Sequence, residues 1–144
     1  VLGSGALNQK DLFVNALLSA LLGRSSQGRA LRLAASPLLL LTSGVHLYLY
    51  AGEAYRFIPT IGPLFLLTGV VAVVFAVALP LLERPLLDLL GAGFEVATLG
   101  AYILTLELPK GLFLFEEPGV SYSGGLAIFS EVGAAALLLA AAVP

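Results

Sequence analysis

Residues 38–63 read LLLLTSGVHLYLYAGEAYRFIPTIGP, and the rest of the chain is arranged around them. The stretch opens as an apolar helix and then gains a polar stripe. Thr42, His46, Tyr50 and Glu53 recur at spacings of four, four and three, which puts them on one helical face. His46 is the single histidine of the chain and stands in an apolar segment. Beyond Arg56, Pro59 and Pro63 turn the chain out of the helix.

Working outward, composition sets the class. Of 144 residues, 59% are hydrophobic and 11% charged, with a mean hydropathy of +1.02. A soluble domain carries roughly 25% charged residues, so this chain lacks the charge to cover a water-exposed surface. With several long apolar runs, it reads as an integral membrane protein. The lipid bilayer is the expected partner, with other membrane subunits beside it. A net charge of -2 gives no footing for nucleic acid. The absence of cysteine removes disulfides, thiolate metal sites, iron–sulfur clusters and thiol redox catalysis. Without tryptophan, tyrosine and phenylalanine must supply any interfacial belt. Without methionine, the sequence is expected to begin downstream of a translation start. No signal peptide is expected, because no short apolar run near the start leads into a small-residue cleavage site.

The expected fold is all-α: an N-terminal interfacial amphipathic helix and link over residues 1–32, then an integral membrane four-helix bundle over residues 33–144. Leu7–Leu22 carries Asp11, Asn15 and Ser19 on one helical face, with leucine, phenylalanine and valine elsewhere. Its apolar stretch of about a dozen residues is short for a bilayer that needs ~20. It is expected to lie in the interface or to pack on another subunit. Gly23 should end it, followed by the polar link RSSQGR. The first span is expected over about Leu33–Glu53, with Pro37 in its opening turns, where a missing N–H does little harm. The second, about Thr60–Leu82, is the most apolar and should face lipid most. The third, about Leu86–Leu106, carries Glu95, Thr98, Tyr102 and Thr105 at spacings of three, four and three. It also holds Gly91, Gly93, Ala97 and Gly100, small residues that admit a neighbouring helix. The fourth, about Gly124–Val143, places Ala127, Ser130, Glu131 and Ala134 on one side.

Lys10, Arg24, Arg29, Arg32 and Arg84 fall at one end of this arrangement. Arg56 and Lys110 fall at the other, with Glu53, Glu107, Glu116 and Glu117. The positive-inside rule then gives a multi-pass protein of the cell membrane with both termini cytoplasmic.

Three ionisable residues, His46, Glu95 and Glu131, are expected deep in three different spans. A charge there costs ~2.5–3.5 kcal/mol or more, so each should face the bundle and find a partner. His46 is the partner at hand. Tyr50, Glu53 and Tyr102 extend the polar stripes toward the outer face, which predicts a polar interior open outward. His46, Glu95, Glu131, Tyr50, Tyr102 and Glu53 are therefore the candidate residues for binding a ligand or proton, and no catalytic residue is assigned. Buried polar groups also act as interhelical hydrogen bonds worth roughly 0.6–2 kcal/mol each. A structural cluster, a binding site and a catalytic site thus stay open. For Glu53 and Arg56, an interfacial ion pair anchoring the helix end is expected.

Several chemistries fall away. One histidine cannot supply two axial haem ligands, and no lysine lies in a span to form a Schiff base. There is no phosphate loop and no nucleophile elbow. His46, Glu95 and Glu131 are acceptable ligand types for a divalent metal, but no paired spacing such as Glu-x-x-His supports one. Cofactor and metal are therefore unknown at this level.

SGVHLYLYAGEAYRFIPTIGPLFLLTGV, a glycine-rich third span, GLFLFEEPGVSYSGG and LAIFSEVGAAALLL together resemble a family of small four-transmembrane-helix actinobacterial membrane proteins. The likeness covers roughly residues 36–143. That family has no established activity, so the resemblance implies a bacterial four-helix architecture and no function.

The residues themselves lead to a membrane protein, more readily a binder than an enzyme. Its midplane His/Glu site, open to the outer side, would bind a proton, a cation or a small polar ligand. The alternative is an accessory or assembly subunit of a membrane complex whose polar cluster only fixes helix packing. A small redox or lipid-modifying enzyme is the third class.

Overall fold

The computed structural model describes residues 8–22 and 26–143. These form five α-helices, α1 (Gln9–Leu22), α2 (Ser26–Gly52), α3 (Ile61–Leu82), α4 (Pro85–Glu107) and α5 (Tyr122–Ala142), with a 3-10 turn at Tyr55–Phe57. Helices α2 to α5 are long and apolar enough to cross a membrane and fit a multi-pass membrane protein. At 1.5 Å per residue, α3 is about 33 Å long, matching a hydrocarbon core of ~30 Å.

Local chemistry sets the helix ends. Glu83 takes a left-handed conformation (φ 52°) and closes α3 by donating its N–H to the Leu79 carbonyl at 3.1 Å. Pro85 then stands at the start of α4, where no N–H is needed. Ser121 caps α5, its Oγ accepting from the Gly124 N–H at 3.0 Å.

The start of α2 differs from the sequence expectation. The helix begins at Ser26 rather than Leu33, so part of the supposed polar link is helical and Pro37 lies well inside the helix. Gly23 and the two residues after it lie outside the described residues. The physical reason is Arg32. A charge in sequence suggests a loop, but this guanidinium is inside the bundle. Its Nε donates to the two carboxylate oxygens of Asp88 at 2.8 and 3.0 Å, and Nη2 donates to Oδ2 at 2.6 Å. The side chains are 1% and 0% exposed. One turn on, the Ser36 hydroxyl lies 3.0 Å from the Arg32 carbonyl and 2.9 Å from that of Ala76, tying α2 to α3.

Helix α1 is about 21 Å long by the same rise, too short to span. Leu12, Phe13, Val14, Leu17 and Leu18 are exposed, as are Asp11 and Asn15, so residues 9–18 have no buried face.

The bundle is organised around α2 and α5. Helix α2 packs on α3 and on α5, and α5 packs on α4, while α3 and α4 barely meet beyond the turn that joins them. Near that turn, Ala35, Leu39, Ala76, Leu79, Ala92, Ala134 and Leu138 form the apolar core. Apolar contacts in lipid release no water, so close approach across the alanines and the polar pairs must hold the helices together. Toward the opposite end, α3 and α4 diverge and leave room for a cavity.

Asp88→Ala should leave a buried, unpaired guanidinium and destabilise the fold by about 3–5 kcal/mol. The double variant Arg32→Met with Asp88→Leu should recover most of that. Unfolding in detergent micelles checks it, and an unchanged midpoint for Asp88→Ala would contradict the assignment.

Candidate functional site

The cavity has a volume of about 250 Å³ and lies between α3 and α4 in the half of the bundle nearer the 108–121 loop. Ile61, Leu64, Phe65 and Thr68 of α3 form one wall. Phe94, Ala97, Thr98, Ala101, Tyr102 and Thr105 of α4 form the other. The floor is His46 and Leu49 of α2 with Gly124, Ala127 and Glu131 of α5, and the roof is Leu112, Phe115, Glu117 and Ser121. The walls are mostly apolar, and no lysine or arginine is among the lining residues.

At the floor, His46 Nε2 stands 3.8 Å from Glu131 Oε1. His46 Nδ1 lies 2.8 Å from the Thr42 carbonyl. A carbonyl only accepts, so Nδ1 must carry the hydrogen. That leaves Nε2 as the nitrogen facing Glu131, either bare or sharing a proton with it. Glu131 is fully buried, and neither of its carboxyl oxygens has a hydrogen-bond partner among the described residues. A polar group in this state is costly in hydrocarbon. Here it lines the cavity.

Glu95 lies near enough to Glu131 to interact with it electrostatically but takes different hydrogen-bond partners. Its Oε2 lies 3.2 Å from the Thr42 hydroxyl, which is 2.9 Å from the Ser130 hydroxyl, itself 3.0 Å from the Ala127 carbonyl. Each hydroxyl has one hydrogen. Every contact is used when Glu95, as the acid, donates to Thr42, Thr42 to Ser130, and Ser130 to Ala127. This cluster is buried behind the cavity wall, and Glu95 does not line the cavity.

The other expected site residues divide. Tyr102 lines the cavity. Its hydroxyl sits against α5 where only a glycine fits, since a Cβ at Gly124 would run into it, and it makes no hydrogen bond of good geometry. Tyr50 is half-buried and does not line the cavity. Glu53 is exposed and accepts from the Tyr48 hydroxyl at 2.7 Å. The expected Glu53–Arg56 ion pair gives way to two other contacts. Arg56 donates to the Ala51 carbonyl at 3.0 Å and lies 4.7 Å over the Phe57 ring. The open carbonyls at the end of α2 attract the guanidinium.

A strap closes the loop end. The Tyr55 hydroxyl donates to Glu117 Oε1 at 2.7 Å, and the Glu117 N–H donates to the Thr105 carbonyl at 3.1 Å. Burial, then the Glu117 carboxylate, pushes the Tyr55 phenol well above its ordinary pKa, so it remains a donor. The Tyr55 ring also meets Phe65 at a tilt, centroids 5.0 Å apart, and Phe115 edge-on at 5.4 Å, and Phe65 lies tilted against His46 at 5.1 Å. The strap turns at Gly111 (φ 63°), where a Cβ would strike the Phe115 carbonyl.

Sequence reasoning missed Asp88, Tyr55, Glu117 and the aromatic walls. Asp88 carried a signal, an acid inside LLDLL matching the arginine inside LRL. Phe65, Phe94 and Phe115 carried none, because a cavity-facing phenylalanine reads like a lipid-facing one. Nor do His46, Glu95 and Glu131 make a metal centre: no group of three or more His, Cys, Asp or Glu suited to a metal ion occurs among the described residues.

No family model, curated protein or solved structure matches the chain.

As the only histidine, His46 can be read directly by NMR. Its ring nitrogens should report a hydrogen on Nδ1 in the neutral state. A neutral ring protonated on Nε2 would contradict the Thr42 contact.

Proposed function

We propose that this is a non-enzymatic multi-pass protein of the cell membrane that binds a small, uncharged, hydrogen-bonding ligand in the cavity floored by His46 and Glu131. The observation that carries the reading is Glu131, fully buried with both oxygens unpartnered, on a mostly apolar cavity. A few convergent polar groups in an apolar concavity are the usual make-up of a small-molecule site. The lining carries two carboxyl groups, one imidazole and no cationic side chain, which disfavours an anion. Among the described residues no group of three or more His, Cys, Asp or Glu converges to hold a metal cation.

The rival reading, an accessory subunit with a structural cluster, draws support from the Glu95–Thr42–Ser130 contacts, which join α4, α2 and α5. It leaves Glu131 unexplained. In our reading both termini are cytoplasmic, the cavity lies in the outer half and α1 lies along the inner surface. Arg32 is buried, so Lys10, Arg24, Arg29 and Arg84 at one end against Arg56 and Lys110 at the other carry the charge bias. The resemblance to small actinobacterial four-helix proteins adds a kinship of architecture to this proposal.

Phenol titrated into the purified protein should shift the His46 ring signals saturably. Glu131→Leu should abolish the effect, and Glu53→Gln should leave it intact. No saturable shift would contradict the binding reading. For orientation, Lys110→Cys should react with an impermeant thiol reagent from outside and Arg84→Cys only from inside; the reverse pattern would overturn the topology.

A further inference from the structure

The seam between α3 and α4 says how a ligand would reach His46 and Glu131. These two helices are consecutive, yet they part company over the cavity half of the bundle. The Phe75–Phe94 ring contact, centroids 5.6 Å apart, closes the seam toward the α3–α4 turn. Beyond it, the wall residues Leu64 and Ala97 are themselves exposed. Their neighbours on the outer faces, Leu67 and Ile103, are exposed apolar residues of the spanning helices. The cavity rim therefore belongs to the lipid-facing surface. The approach from the loop end is covered by Leu112, Phe115 and the Tyr55–Glu117 strap.

We infer that the ligand is a bilayer-dissolved amphiphile, with a compact uncharged oxygen-bearing head and an alkyl tail, which enters sideways between α3 and α4. This deepens the ligand-site reading and rests on it. Size sets the head. An apolar cavity of ~150 Å³ holds a benzene, so about 250 Å³ holds a substituted ring or a head of that bulk, and not a whole lipid. The tail then stays in the seam, among side chains as apolar as itself. Charge sets the chemistry. A phosphate or fatty-acid carboxylate would meet Glu131 and Glu117 with no lysine or arginine among the lining residues. A hydroxyl or carbonyl oxygen suits the floor, where Glu131 and His46 Nε2 between them can donate or accept one hydrogen. Flat heads also match the rings of Phe65, Phe94 and Tyr102 on facing walls.

The test is photolabelling of the full chain in phosphatidylcholine vesicles with a diazirine-bearing octylphenol, against the same phenol without a tail added from water. The tailed label should attach to the cavity walls of α3 and α4. Ala97→Trp, which narrows the rim, should cut that attachment about tenfold or more. Val132→Trp, on a lipid-facing position away from the cavity, should not. Leu64→Trp on the opposite rim serves if Ala97→Trp fails to fold. Equal labelling by the tailless phenol, unaffected by rim narrowing, would overturn lateral access while leaving the ligand site intact. Labelling spread over all lipid-facing helices, with no His46 shift by phenol, would overturn both readings. Cross-links joining two copies through Ala97 would make the seam a subunit contact and overturn this inference.

Discussion

An ionisable side chain in hydrocarbon must find its partner inside the protein, and the whole bundle depends on how that constraint is met. Three groups answer it differently. Arg32 and Asp88 meet it as a buried fork of charge-assisted hydrogen bonds near the α3–α4 turn. Glu95 meets it in part, through one oxygen on the Thr42 hydroxyl, which is joined in turn to Ser130, while its other oxygen has no hydrogen-bond partner among the described residues. Glu131 does not meet it within the described residues, and approaches only His46, at 3.8 Å. The first two fix which helices touch. The third lines the cavity with both oxygens unpartnered among the described residues.

The same division runs along the helices. Near the turn, alanines at the contacts and the Arg32–Asp88 pair draw α2, α3, α4 and α5 together. Farther along, bulkier walls built from Phe65, Phe94 and Tyr102 keep α3 and α4 apart. The strap from Tyr55 to Glu117 covers the resulting cavity at the loop end but leaves its flank between the helices. Tight packing at one end and a shielded cavity at the other are the two features that the proposed ligand site builds on.

Much of the architecture was legible in the sequence, because length and apolar content report directly on spanning helices. The spans beginning near Thr60, Leu86 and Gly124 differ from α3, α4 and α5 by a residue or two. The start of α2 was misread, because the polar residues before Leu33 read as a loop unless Arg32 is paired with the acid inside LLDLL, 56 positions away. Helical spacing put His46 and Thr42 on one face, and the depth of Glu131 brought it to His46. The same spacing misdirected Tyr50 and Glu53, since a stripe on one helix says nothing about where the neighbouring helices stop. That Glu131 lines the cavity and Glu95 does not depends on the rotation of α4 and α5 about their axes, which no single-helix pattern encodes.

The central claim, that the cavity at His46 and Glu131 holds a small uncharged molecule, is met most directly by native mass spectrometry of the protein released from membranes. The account predicts a bound neutral mass on the wild-type chain, retained by Glu53→Gln and lost in Glu131→Leu. A ligand-free wild-type mass, with Glu131→Leu no less stable than wild type, would contradict it.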